Sequence, residues 1–268
     1  MRRMMSGLMV AVMVAAVPGL SAQDATFEWQ QRMSAGDVLE VQGIVGEIRA
    51  EYTSGSQVEV VAEKHGDSDD FSEVEIRVEE VRGGYLVCAI YNVSRARGDG
   101  CDVDHDRDGW RNRNRSIDVE VEYTVRVPAG VEFEGTMVSG DIVAEDLRSV
   151  VEATTVNGDI FVSTTERAHG GTVSGSIEIE MGSTDWSELD FNTVSGDITL
   201  WLPEGIDTDV DFESLSGDID SDFDITSTRS RSRRWIGEEL EGYIGSSGRR
   251  SLSFNTVSGD VRLRRARS

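Results

Sequence analysis

Apolar residues recur at every second position around seven glycines. The clearest copies are Asn192-Thr193-Val194-Ser195-Gly196-Asp197-Ile198-Thr199-Leu200 and Asn255-Thr256-Val257-Ser258-Gly259-Asp260-Val261. Looser copies centre on Gly46, Gly140, Gly158, Gly175 and Gly217. Two positions before each glycine stands Ile44, Val138, Val156, Val173, Val194, Leu215 or Val257, and two after it Ile48, Ile142, Ile160, Ile177, Ile198, Ile219 or Val261. Four after it stands Ala50, Ala144, Val162, Ile179, Leu200, Ser221 or Leu263. Such alternation predicts strands with one buried face, the glycine lying in phase with the inward residues and marking a bulge, corner or close backbone approach.

From Gly140 onward the glycines lie 18, 17, 21, 21 and 42 residues apart. The last interval is twice 21, as if one copy were lost or overlaid by an insertion. One short strand per repeat cannot bury its apolar side alone, whereas stacked copies can. The expected fold is all-β, a β-solenoid or closely related stack of short strands with a core line of Val and Ile. Val194→Asp is therefore expected to unfold several coils.

The rest of the chain fits the same class. Residues 26–52 read as two strands, and residues 74–91 as a hairpin turning at Arg82-Gly83-Gly84. In 116–127, Ile117, Val119, Val121, Tyr123, Val125 and Val127 share one face. Pro128-Ala129-Gly130-Val131 ends that strand, and Pro203-Glu204-Gly205-Ile206 repeats the device. Two stretches break the pattern. Residues 92–115 are irregular and charged, and 222–253 carry Arg229-Ser230-Arg231-Ser232-Arg233-Arg234, read as a protruding loop or hairpin between two coils.

The first 22 residues stand apart. Arg2 and Arg3 precede an apolar run from Leu8 to Val17, and the stretch reads as a secretory signal peptide cleaved after Ala22. No later stretch is apolar enough to span a membrane, and residues 23–268 read as one repeat domain. The formal charge of −24 becomes −26 once the two arginines leave (−24 − 2). Such a chain repels nucleic acid and attracts cations. In an exported chain the cysteine pair, Cys88 and Cys101, predicts one disulfide closing a 13-residue loop.

Candidate chemistry is sparse. Asp104-His105-Asp106-Arg107-Asp108-Gly109 matches the first half of a calcium loop, where Asp104, Asp106 and Asp108 would offer oxygens on alternate residues. Arg115 stands where the twelfth-position glutamate would close it, and a solvated acidic loop balanced by arginines is the competing reading. The repeated Asp141, Asp159, Asp197, Asp218 and Asp260 read as turn formers bonding corner amides rather than as ligands. The histidines, His65, His105 and His169, lie in polar segments, and neither a G-x-S-x-G nor an HExxH motif is present. No catalytic residue and no cofactor other than calcium is expected. The arginine tract faces either an anionic partner or the protein's own acidic surface.

The Thr-Val-Ser-Gly-Asp-Ile phrases at this spacing, with the Pro128 and Pro203 endings, resemble the DUF4097 family of toastrack repeats, whose members are described as candidate adhesins. The resemblance covers roughly residues 40–263. It implies a solenoid-like all-β domain in bacterial exported or membrane-attached proteins, and it brings no catalytic residues. The reading is a non-enzymatic, exported binding or scaffolding surface for an envelope protein or polysaccharide. A glycan-binding surface would show exposed aromatic residues at coil spacing, for which Trp186 and Trp201 are the hint. The alternatives are an envelope-stress accessory docking on a membrane signalling partner, and a carbohydrate-active β-helix enzyme, which would show a deep cleft with coupled carboxylates.

Overall fold

The computed structural model describes residues 25–97, 100–101, 104–105, 117–233, 237–246, 248 and 250–266. The expected signal segment, residues 1–22, lies outside them. The chain opens with β1 (Thr26–Arg32), β2 (Val38–Thr53) and β3 (Gln57–Gly66). A 3-10 turn at Ser68–Glu73 leads into the hairpin β4 (Val74–Val81) and β5 (Gly84–Tyr91). A two-residue bridge, β6 (Ala96–Arg97) with β7 (Asp104–His105), precedes β8 (Val119–Pro128).

From there strands come in pairs split by a glycine. They are β9 (Glu132–Ser139) and β10 (Ile142–Leu147), β11 (Val151–Asn157) and β12 (Ile160–Thr164), β13 (Ala168–Ser174) and β14 (Ile177–Met181). Then follow β15 (Glu188–Ser195) and β16 (Ile198–Leu202), and β17 (Thr208–Ser216) and β18 (Ile219–Ser221). A hairpin, β19 (Ile225–Arg233) and β20 (Gly237–Ile244), intervenes before the last pair, β21 (Ser251–Ser258) and β22 (Val261–Arg265).

Each coil runs up one sheet, turns at its glycine and runs along a second. Sheet A has the order β1-β3-β8-β2-β10-β12-β14-β16-β22-β18. Sheet B has the order β4-β5-β2-β9-β11-β13-β15-β21-β17-β20-β19. The long strand β2 belongs to both, its first half in sheet B and its second in sheet A. The Pro128 and Pro203 turns bring the chain back from sheet A, with Gly130 at φ 81° and Gly205 at φ 74°, and each delivers a buried aliphatic residue, Val131 or Ile206.

The last interval of 42 residues has a topological cause. The final coil does not stack on the end. Strand β21 inserts between β15 and β17, and β22 between β16 and β18. The near-identical phrases are thereby direct neighbours: Asn192 pairs with Asn255, and the Asn255 Nδ2 donates to Asn192 Oδ1 at 3.1 Å. The hairpin expected between two coils instead continues sheet B antiparallel beyond β17.

The side-chain phase also corrects the sequence reading. Residues two and four after the glycine are inward as expected in most coils: Ile142, Ile160, Ile177, Ile198 and Val261 are buried, as are Ala144, Val162, Ile179, Leu200 and Leu263, while Ile219 and Ser221 after Gly217 are half-buried. The aliphatic residue two before the glycine points out. Ile44, Val138, Val156, Val173, Val194, Val257 and Leu215 are 39, 46, 41, 43, 47, 42 and 61% exposed. The core of sheet B is the other phase, with Phe133, Met137, Phe191, Phe212 and Phe254 buried. The corner flips the phase: Thr193 is buried, Val194 and Ser195 are exposed, and burial resumes at Ile198. Period-two counting across Gly196 fails because the corner residue is not a strand residue.

The corner explains the repeated phrase residue by residue. Gly196 has φ 147°, and a Cβ there would stand 1.9 Å from the Gly175 carbonyl oxygen. The same contact recurs along the stack, at 1.7 Å for Gly140 against Gly46 and 1.9 Å for Gly259 against Gly196. Only glycine permits backbones this close. In three coils the buried Thr three before the glycine donates its hydroxyl to a neighbouring coil's glycine carbonyl: Thr155 to Gly140 at 3.1 Å, Thr172 to Gly158 at 3.1 Å and Thr193 to Gly175 at 3.3 Å. The Asp after the glycine accepts a corner amide from the adjacent coil. Asp159 N donates to Asp141 Oδ1 at 2.8 Å, and Asp260 N to Asp197 Oδ1 at 2.9 Å.

Candidate binding surface

The outward residues of sheet B form three parallel rows. Strands in register place Ile44, Val138, Val156, Val173, Val194, Val257 and Leu215 on successive rungs. Six steps of about 4.8 Å make this aliphatic row about 29 Å long. Two residues back along each strand lies a mixed row that includes Gln42, Thr136, Thr154, Asn192 and Asn255. Two further back lies a mainly acidic row, with Glu40, Glu134 and Glu152 on adjacent strands and Asp190 and Asp211 farther along. The aliphatic and acidic rows are four residues, roughly 13 Å, apart along the strand.

Near the hairpin the surface dips into a depression of about 670 Å³. Val173, Val194, Val257 and Leu215 line it, with Glu238 and Glu239 of β20 on its rim. The surface electrostatics have a common sign. The Glu134 carboxyl is raised above its ordinary 4.5, first by desolvation and then by Glu152, Glu40 and Glu132. Asp211 is raised by desolvation and by Glu241 and Glu239. Glu238 is raised by desolvation and by its hydrogen bond to Asp218.

The residues singled out from sequence are dispersed. Cys88, on β5, is bonded to Cys101 with a Cα–Cα distance of 5.9 Å, tying the irregular stretch to sheet B. Of the calcium candidates, Asp104 is described by its bridge to Arg97, while Asp106 and Asp108 lie outside the described residues. Among the described residues no group of three or more His, Cys, Asp or Glu is arranged to hold a metal ion. His169 lies 4.0 Å from Glu152 on sheet B and His65 3.4 Å from Glu122 on sheet A. In the arginine tract, Arg229 pairs with Glu241 at 2.8 Å, so this member faces the protein's own acidic surface. Trp186 is buried rather than displayed, and the Trp201 indole donates to Glu178 at 3.3 Å.

Sequence reasoning missed the exposed row because it assigned those residues to the core. The signal was present in the opposite phase: Leu189-Asp190-Phe191-Asn192-Thr193 and Leu252-Ser253-Phe254-Asn255-Thr256 place larger apolar residues five and seven positions before the glycine. Among the described residues no helix is long and apolar enough to cross a membrane.

The DUF4097 family, described as Toastrack, matches residues 31–264. No curated protein matches the chain. Among solved structures, the chain is similar to a candidate cell adhesion protein from Clostridium sporogenes, with 10% identity, 90% of this chain and 99% of that one covered, and a TM-score of 0.40. A candidate adhesin from Bacteroides fragilis shares 12% identity over 91% of this chain and 100% of its own, with a TM-score of 0.37. A candidate lipid-binding protein from Parabacteroides distasonis shares 12% identity over 88% and 96%, with a TM-score of 0.28.

Proposed function

The chain belongs to the DUF4097 Toastrack family, and we propose that it is an exported, non-enzymatic binding and scaffolding module of the cell envelope that engages its partner through the outer face of sheet B. One observation carries this reading: seven aliphatic side chains are presented to solvent in a single row. Isolated exposed aliphatic residues are ordinary, but a contiguous apolar stripe marks an interaction surface. The repeat architecture does not demand it, since the close-packed glycines, with the Thr and Asp hydrogen bonds at several of them, already hold the corners. Export is supported by the Cys88–Cys101 disulfide, a bond that persists in oxidising compartments, and by the basic-then-apolar start of the sequence.

Among the described residues the enzyme reading has one foothold, the Glu238 carboxyl lining the depression, hydrogen-bonded to Asp218. Those groups touch each other, whereas the two carboxyls of a glycosidase stand about 5 Å or more apart around a sugar. The binding reading is tested with a photo-crosslinking residue at Val173 on sheet B or at Phe161 on the outer side of sheet A, in intact producing cells. A defined adduct from position 173 and none from position 161 is the expected result. Equal adducts from both positions, or none from 173, would overturn it.

A further inference from the structure

Resting on that reading, we propose that the occupant of the outer face of sheet B is a basic amphipathic α-helix of a partner protein, lying along the solenoid axis with its aliphatic stripe on the Ile44-to-Leu215 row. Three features of the surface lead to this occupant. The first is pitch. A helix repeats its face every 5.4 Å, close to the strand spacing of about 4.8 Å, so one turn of helix sits on one coil. Over six intervals the mismatch accumulates to roughly 4 Å, less than one rung, and about 19 residues of helix span the row. An extended peptide pairing alongside the strands would cross the row and meet only one or two of its members.

The second feature is charge. Glu213 and Glu238 stand next to the aliphatic row, and beyond the mixed row, about 13 Å away, run Glu134, Glu152, Asp190 and Asp211. Three of these carboxyls are held above their ordinary values by burial and by like-charged neighbours, or by a hydrogen bond to another carboxyl. Lysine or arginine on the helix flank would relieve that repulsion, and an acidic helix would add to it. A second copy of this chain, with a formal charge of −24, would bring the same carboxylates to the interface. The third feature is chemistry. The row consists of Val, Ile and Leu without aromatic rings, and it has the branched shape that accepts helix side chains in a groove rather than the flat faces that stack on sugars. An anionic envelope polysaccharide would meet an anionic surface.

The test uses the chain from residue 23 to 268 and a labelled synthetic peptide of about 20 residues, built as a helix with a leucine stripe and lysine flanks. Fluorescence anisotropy reads the affinity. Three control peptides accompany it: the same composition in strict Lys–Leu alternation, the helix with Glu for Lys, and the helix with Gln for Leu. The amphipathic basic helix should bind at least about tenfold tighter than each control. Joint replacement Val156→Ser, Val173→Ser and Val194→Ser removes three exposed side chains without changing charge, and should weaken binding by roughly tenfold or more. Phe161→Ser, on sheet A, should leave it unchanged, and circular dichroism checks that both variants keep the β fold.

Equal affinity for the triple variant would mean that charge alone attracts the peptide and would overturn the proposal. Preference for the alternating peptide would replace the helix with an added strand. Competition by an anionic polysaccharide at position 173, with no helix binding, would assign the face to another class of macromolecule. In the last two cases the crosslink from position 173 in cells would persist, so the helix would fall while the binding face stood. Loss of that crosslink as well would remove both.

Discussion

The two outer faces of the solenoid handle charge in opposite ways. On sheet A arginines stand among carboxylates and pair with several of them. Arg49 pairs with Glu47 and with Glu145, Arg126 with Glu59, and Arg265 with Glu204. Arg262 joins Asp197 at 2.6 Å and Asp260 at 3.1 Å, and Arg264 joins Asp220 at 2.7 Å and Asp222 at 3.4 Å. On sheet B Glu40, Glu134 and Glu152 stack in register with His169 on the next strand, beside an aliphatic row in water. The carboxyls move accordingly. Asp197 and Asp220 are lowered by their arginines, while Glu134 and Asp211 are raised by burial and by acidic neighbours. Sheet A meets several of its carboxylates with arginines of the chain itself, whereas the stacked Glu40, Glu134 and Glu152 of sheet B have no arginine in register with them.

The comparison breaks most completely at the glycine corner that joins the two faces. Gly196→Ala places a methyl 1.9 Å from the Gly175 carbonyl oxygen at a backbone angle of φ 147°. Neither backbone can withdraw without parting the ladder on both sheets. A loss of more than about 3 kcal/mol is expected in urea unfolding, enough to consume much of a typical domain's stability. A variant melting within a degree or two of the parent would show that the corners do not set the coil geometry.

Next in size is a contrast within one strand. Phe191→Ala removes a fully buried ring whose centroid lies 5.6 Å from that of Phe254, and should cost about 3–5 kcal/mol. Val194→Asp, three residues on, replaces an exposed side chain and should change stability by less than about 0.5 kcal/mol while abolishing the crosslink from the sheet B face. Strong destabilisation by Val194→Asp would return the aliphatic row to a structural role and remove the difference between the faces.

That second substitution also marks how far the sequence could be read. Fold class, coil length and the strands followed from alternation and spacing, because stacked coils need the same residue at the same place in every copy. The inward Ile198 and Leu200 were legible for the same reason. The orientation of Val194 was not, because alternation alone cannot locate a phase flip. Gly196 lies between two apolar residues with even spacing, and a corner there looks identical on paper to an uninterrupted strand. The insertion of β21 beside β15 was hidden too, since sequence order suggests that the last coil is the outermost. Of the candidate surface, the acidic residues could be counted, but their alignment beside the aliphatic row required the register. Asp106 and Asp108 remain an expectation from sequence, because they lie outside the described residues.

A smaller effect separates the faces by pH. Asp197 is held below its ordinary 3.8, chiefly by the hydrogen bond from Arg262. A lowered carboxyl stabilises the fold above its unfolded value, and that contribution is lost as pH falls through the folded value. Asp197→Asn keeps an oxygen for the Asp260 amide but loses the charge pair. Its side chain is 43% exposed, so solvent screening limits the effect to less than about 1 kcal/mol. The variant should unfold at lower urea than the parent at pH 7, with the gap closing once the solution is well below pH 4. A gap that persists in acid would mean that the hydrogen-bond geometry, not charge, holds this corner of sheet A.

The smallest effect has the opposite sign and falls on sheet B. Glu134 is raised above its ordinary 4.5, so folding stabilises its protonated form. That contribution is fully present below the unfolded value and is lost as pH rises through the raised one, leaving a net cost at pH 7. Glu134→Gln should therefore stabilise the chain at pH 7 by a few tenths of a kcal/mol, the scale of like charges facing each other across strands, and by nothing in acid. The same residue reports on the occupant. A bound lysine-flanked helix would relieve the repulsion in the parent, so saturating peptide should raise the parent's melting temperature more than the variant's and narrow the gap between them. If instead both shift equally, the acidic row does not meet the helix's basic flank. The contact would then be confined to the aliphatic row, and the two faces would differ in apolar character alone.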